Sequence, residues 1–127
     1  MTIAIEKRVD TIFIHVTNLK KSVKWYSQLF GFEVSETEII SPIYTFNMGE
    51  GRPGLTLDDH SLDDSCKLVP SNQPLFNLST SNINAAYEHV KELGGEIVTE
   101  IQTYPDLSDF SFKDPDGNIL MVCSCFS

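Results

Sequence analysis

Three histidines and three cysteines are the side chains here with the widest chemistry, and their neighbours decide what each can do. His15 lies in Thr11-Ile-Phe-Ile-His-Val16, a β-branched and aromatic run that reads as a strand. Strand alternation puts Thr11, Phe13 and His15 on one face. An imidazole there can bind a ligand or exchange a proton; the plainer alternative is an inert, hydrogen-bonded histidine. His60 falls in an acidic segment and reads as solvated. His89 lies off the apolar stripe of a helix and reads as a surface residue. The three histidines are not expected to converge. Cys123-Ser-Cys125 has the look of half a metal site, but a closed zinc site needs paired ligands elsewhere, and Cys66 is the one other thiol. An odd count without an export signal reads as reduced thiols in a cytoplasmic protein. No glycine-rich phosphate loop, nucleophile elbow or paired-carboxylate arrangement occurs.

The elements that must position these groups follow from periodicity. Asn18 is a helix cap, and Leu19, Val23, Tyr26 and Phe30 recur at helical spacing until Gly31. Strands are expected over 32–39, 43–48 and 55–58, with Ser41-Pro42 and the glycine-rich 49–54 as breaks. An acid-rich linker with Pro70 and Pro74 follows. The pattern then restarts: a strand over 75–80, a cap at Asn82, and a helix marked by Ile83, Ala86, Tyr87, Val90 and Leu93. Gly94 and Gly95 end that helix. Strands are expected over 96–101 and 109–113. Asp114-Pro-Asp-Gly-Asn118 is a tight turn into the strand Ile119–Cys123, because Pro115 presets φ and Gly117 accepts a positive one.

A constant shift of 64 positions overlays Asn18 on Asn82, Gly31 on Gly95, Val34 on Val98 and Leu55 on Ile119. Matched punctuation of this kind indicates an internal duplication of a strand–helix–three-strand unit. With 127 residues the chain reads as one domain: module one over 9–60, a linker over 61–74, module two over 75–125. The formal charge of −9 argues against nucleic acid or an anionic membrane as partner. No apolar run is long enough to span a bilayer.

The segment FIHVTNLKKSVKWYSQLFGF, residues 13–32, resembles the opening of the vicinal-oxygen-chelate superfamily, which includes glyoxalase I, bleomycin- and fosfomycin-resistance proteins and extradiol dioxygenases. Asp114-Pro-Asp-Gly-Asn118 resembles that family's closing hairpin. The resemblance implies an α+β fold in which two βαβββ modules form a curved mixed sheet around a cleft, often completed by dimerisation. It also implies where a divalent metal would be held, by His and Glu at the first and last strands of each module. Those positions fall here on Thr11, Leu75, Met121 and, by the same shift, Leu57. None supplies a nitrogen or carboxylate ligand, and a thioether suits only soft ions. No metal and no other cofactor is therefore expected.

Carried onto this chain, the parity of the family's ligand positions also places Leu55, Ile119 and Cys123 toward the cleft. Thr11, Phe13, His15, Leu57, Leu75, Asn77 and Met121 are the expected lining of a ligand site: mainly apolar, with His15 and Asn77 to orient the ligand. The expected function is metal-independent binding of a small organic molecule, by sequestration or sensing, in a cytoplasmic homodimer. Two alternatives stand beside it. One is a glyoxalase-like lyase, isomerase or dioxygenase with a displaced or metal-free site at His15. The other is an interaction module whose cleft is filled by its own side chains.

Overall fold

The computed structural model describes residues 4–63, 65 and 67–125. Cys66 lies outside them. In chain order the elements are β1 (Thr11–His15), α1 (Leu19–Phe30), a 3₁₀ turn (Glu36–Glu38), β2 (Ile43–Phe46), β3 (Gly54–Asp58), β4 (Asn77–Ser79), α2 (Ile83–Glu92), β5 (Glu96–Thr103), β6 (Leu107–Lys113) and β7 (Ile119–Cys125). The fold is α+β, two βαβββ-like modules forming mixed sheets. The first sheet has the order β1-β3-β2 and the second β4-β7-β6-β5. In each, the first and last strands of the module run parallel and the remaining pairs antiparallel.

The helix caps are those expected. Asn18 Oδ1 accepts the Lys21 N–H at 3.1 Å, and Asn82 Oδ1 accepts that of Ala85 at 3.0 Å. Both helices end at a left-handed glycine, Gly31 (φ +81) and Gly94 (φ +79). The second is therefore the neighbour of the glycine that the constant shift selects.

One expected strand is missing. Residues 32–39 form no strand, and Glu36–Glu38 form the 3₁₀ turn instead, because Ser35, Thr37 and Glu38 bond locally. The Glu38 carboxylate accepts the Ser35 N–H at 3.1 Å, its own N–H donates to the Ser35 carbonyl at 3.0 Å, and the two hydroxyls pair at 2.9 Å. Such side-chain bonds compete with a strand ladder. Ser35-Glu-Thr-Glu38 is the S-x-x-E pattern of a helical start, a signal present in the sequence.

The chain forms two compact units, and the division falls inside α1: residues 35–68 group with the chain up to Val23, and residues 24–34 group with the chain from Val69 onward. In the first unit Ile14 and Leu57 are wholly buried, with Leu55 and Phe46 nearly so. In the second, Phe110, Phe112 and Leu120 are wholly buried. Each such side chain contributes about 1.5–3 kcal/mol. Trp25 packs against Phe112 with ring centres 6.2 Å apart, and its Nε1–H donates to the Leu93 carbonyl at 3.0 Å.

Tyr26 is wholly buried, and its hydroxyl donates to Asp114 Oδ2 at 2.7 Å. Asp114, itself buried, also accepts the N–H groups of Asp116 (3.0 Å) and Asn118 (2.8 Å) and the Asn118 amide (3.1 Å). Tyr26→Phe leaves this buried carboxylate one donor short, and the expected loss is about 2 kcal/mol in urea unfolding. The same pair sets an alkaline limit. Burial first, and the Asp114 charge second, hold the Tyr26 hydroxyl well above its ordinary pKa. A folded-state value above the unfolded one adds stability that is complete below the unfolded value, about pH 10. It is lost as pH rises further. The stability margin of the native chain over Tyr26→Phe should therefore be constant at neutral pH and shrink above about pH 10, read from paired urea titrations.

Candidate functional site

Strand register decides which side chains share a surface in the first unit. β1 pairs with β3 in parallel: Thr11 beside Gly54, Phe13 beside Thr56, His15 beside Asp58. β2 adds Thr45 beside Thr56 and Ile43 beside Asp58. One face therefore carries Thr11, Phe13 and His15, as alternation predicts, together with Thr45, Thr56 and Asp58. Leu57 and Leu55 are on the other face, with Ile14, and both are buried. Their expected place toward a ligand is corrected by one residue. Register pairs Asn77 with Met121 but Phe13 with Thr56, so the counterpart of Met121 is Thr56, not Leu57. A one-residue slip turns every side chain of a strand to the opposite face.

On the shared face the hydroxyls of Thr11, Thr56 and Thr45 form a row, each link 2.8 Å. Gly54 leaves room for it: a Cβ there would sit 3.1 Å from the Thr45 methyl and 3.2 Å from the Thr11 hydroxyl. Phe13 is 48% exposed beside this row.

The far end of the same face holds the group that sequence reasoning missed. His60, expected to be solvated, meets His15: the His60 Nε2 and the His15 Nδ1 are in direct hydrogen-bond contact, with ring centres 4.5 Å apart. Such a contact requires one ring to donate and the other to accept. Asp58 stands beside them, its Oδ2 3.9 Å from His60 Nε2 and its Oδ1 accepting the His60 N–H at 2.8 Å. His60 adopts φ +56, the left-handed conformation that lets the chain double back after β3. The ligand atoms of His15, Asp58 and His60 all lie within 4.8 Å of one another. Asp58-x-His60 just beyond a strand parallel to that of His15 was the available signal; without the pairing it has no partner.

In the second unit Asn77 and Met121 share a face, and Leu75 lies just before β4. Asn77 is opposite Met121, and the Leu75 N–H donates to the Ile119 carbonyl at 2.9 Å. Leu75 is 43% exposed, Asn77 exposed and Met121 half-buried. The other face of β4 and β7 meets the helices. There Leu29, Phe30, Leu78, Ala86, His89 and Val122 line a cavity of about 310 Å³. His89 is more than a surface residue, because its Nε2 lies 3.1 Å from the Gln28 and Leu29 carbonyls at the end of α1. Cys123 is disulfide-bonded rather than reduced; an odd count does not prevent one pair from forming.

Register brings the four positions at which the resemblance implies a metal to Thr11, Thr56, Leu75 and Met121. They do not fit a divalent ion: the two hydroxyls are bonded to each other, and the other two side chains are an alkyl group and a thioether.

Among the described residues no helix is long and apolar enough to cross a membrane. Compared with known proteins, the chain matches the Glyoxalase/Bleomycin resistance protein/Dioxygenase superfamily over residues 8–122. It is 24% identical over 123 residues to a glyoxylase-like domain-containing protein of Didymella fabae, covering 92% of this chain and 93% of that one. Among solved structures it resembles a superfamily member from Sphaerobacter thermophilus DSM 20745 (21% identity, TM-score 0.72, covering 94% of this chain and 98% of that one). It also resembles a family enzyme from Burkholderia phytofirmans PsJN (13%, TM-score 0.72, 94% and 99%). A third likeness is to lactoylglutathione lyase of Agrobacterium tumefaciens (15%, TM-score 0.66, 94% of each chain). With a match spanning nearly its whole length and the duplicated strand pairing to support it, this chain belongs to the glyoxalase/bleomycin resistance/dioxygenase superfamily.

Proposed function

We propose that the protein binds a small, partly apolar organic molecule on the exposed face of the first sheet, and that it sequesters or senses this molecule without a metal at the family's positions. The observation that carries this is the half-exposed ring of Phe13, set beside the threonine hydroxyl row and one rung from the His15–Asp58–His60 group. A flat apolar ligand covering roughly 60 Å² of that ring gains about 1.5 kcal/mol. The polar groups near the ring supply selectivity, since a ligand that leaves a buried partner unmatched loses about 1–3 kcal/mol. Leu75, Asn77 and Met121 form a strip of similar make in the second unit and belong to the same proposal. Leu57 does not.

A second reading is an enzyme, glyoxalase-like or a dioxygenase, with a non-canonical site. The His15–Asp58–His60 group favours it, because it offers a base and a carboxylate on the exposed face. A filled interaction module is disfavoured by the exposure of Phe13. A cytoplasmic homodimer remains part of the proposal, and sedimentation at micromolar concentration checks the dimer.

Amide spectra recorded during titration with planar heteroaromatic fragments, in the presence of chelator, test the binding reading. Shifts should centre on Thr11, Phe13 and Thr56, and Phe13→Ala should weaken the best fragment at least tenfold with little change in melting temperature. Fragments that gather only around the cavity near His89, or that bind Phe13→Ala as well as the native chain, would overturn it.

A further inference from the structure

We propose that His15, Asp58 and His60 together hold one divalent transition-metal ion, at a place in the fold distinct from the four positions filled by Thr11, Thr56, Leu75 and Met121. This goes beyond the binding reading and does not rest on it.

The donor set is the first argument. Two imidazole nitrogens and one carboxylate oxygen all lie within 4.8 Å of one another. Around a zinc-sized ion, with bonds of about 2.0–2.2 Å, tetrahedral ligand atoms stand roughly 3–3.5 Å apart. To hold the ion, the two rings give up their mutual hydrogen bond and open apart, while the Asp58 Oδ2, 3.9 Å from His60 Nε2, closes in. Two histidines and a carboxylate are borderline ligands, suited to Zn²⁺, Co²⁺, Ni²⁺ or Fe²⁺ rather than to Ca²⁺ or Mg²⁺, which take oxygen shells.

The second argument is that the ligands are held. Asp58 Oδ1 is fixed by the His60 N–H at 2.8 Å, which leaves Oδ2 turned toward the imidazoles. Backbone support of a ligating carboxylate is what outer-shell bonds supply in metal sites. His15 sits on a strand paired residue for residue with the strand carrying Asp58. His60 is aimed by a left-handed backbone (φ +56) that few residues adopt. The side chains of His60 and Asp58 are 21% and 20% exposed. Solvent can therefore reach the ion, and three protein ligands leave a fourth position for water or a ligand atom.

Zn²⁺ alone is the probe, titrated calorimetrically into chelator-stripped full-length protein. One ion per chain should bind with a dissociation constant in the micromolar range or tighter. His60→Asn removes the imidazole while keeping a residue that tolerates the left-handed backbone; it and Asp58→Asn should each weaken binding at least tenfold. His89→Gln should not. Because a variant can lose its fold, the native chain supplies an independent reading: bound Co²⁺ should shift the ring protons of His15 and His60 strongly. Absence of one-to-one uptake, equal uptake by a His15→Ala/His60→Asn double variant, or Co²⁺ shifts that miss the two rings would each overturn the proposal.

Discussion

The hydrogen bond from Tyr26 to Asp114 ties together the two sequence signals on which the family resemblance rests. Tyr26 lies in the helix of the opening motif; Asp114 begins the D-P-D-G-N turn 88 residues away. A carboxylate that is only 5% exposed needs hydrogen-bond donors, and this one collects four. Three come from its own turn and one from the helix. The turn and the helix thus meet at one buried hydrogen bond that each completes for the other. Nearby bonds act in the same direction. Trp25 donates to the end of α2 at Leu93, and His89 of α2 meets the end of α1 at Gln28 and Leu29. This explains why residues 24–34 group with the second half of the chain rather than with the strand that precedes them. A helix drawn as part of one repeat in sequence is held by the other.

Register is the second constraint, and it acts on function. The duplicated halves are offset by 64 positions at the helix caps (Asn18, Asn82), 63 at the helix-ending glycines (Gly31, Gly94) and 65 at the last strands (Thr56, Met121). Each difference of one is trivial for a helix end, where it moves a cap by part of a turn. In a strand it exchanges the buried face for the exposed one. That is why a threonine hydroxyl row, rather than a pair of leucines, covers the exposed face of the first sheet.

Much of the fold was legible because it depends on local chemistry. Asn caps, left-handed glycines and a proline–glycine turn each solve a nearby backbone problem, and their residues are specific. Residues 32–39 failed for the same reason: the apolar content resembled a strand, but Ser35 and Glu38 solved the local hydrogen bonding another way. The site was less legible, since convergence is non-local. Thr11, Phe13 and His15 could be placed on one face by alternation within a single strand. Leu57 could not be placed, because its facing depends on which residue of β1 it pairs with. His60 lies beyond the strand, and only the parallel pairing of β1 with β3, plus a backbone turn at positive φ, brings its ring to His15.

A parallel pair of strands offers a ladder of rungs, and each rung on one face presents two side chains side by side. Here the rungs are Thr11 with Gly54, Phe13 with Thr56, and His15 with Asp58. Nothing in the backbone distinguishes one rung from the next as a place for converging groups; the side chains do. At one end the hydroxyls satisfy each other across β1, β3 and β2, which leaves little demand for an ion. At the other end, two residues further along β3 and so about 6–7 Å away, stand a carboxylate and an imidazole, joined by a second imidazole from the loop. Beside Thr56, on the middle rung, Phe13 exposes its ring. The exposed face therefore runs from neutral hydroxyls, over an aromatic surface, to a titratable group. On the binding proposal, such a gradient would orient a small molecule that has one polar end able to meet the histidines and a flat apolar body able to cover the phenyl ring. Without ligands at the family's metal positions the face still has a direction, because direction comes from the order of the rungs.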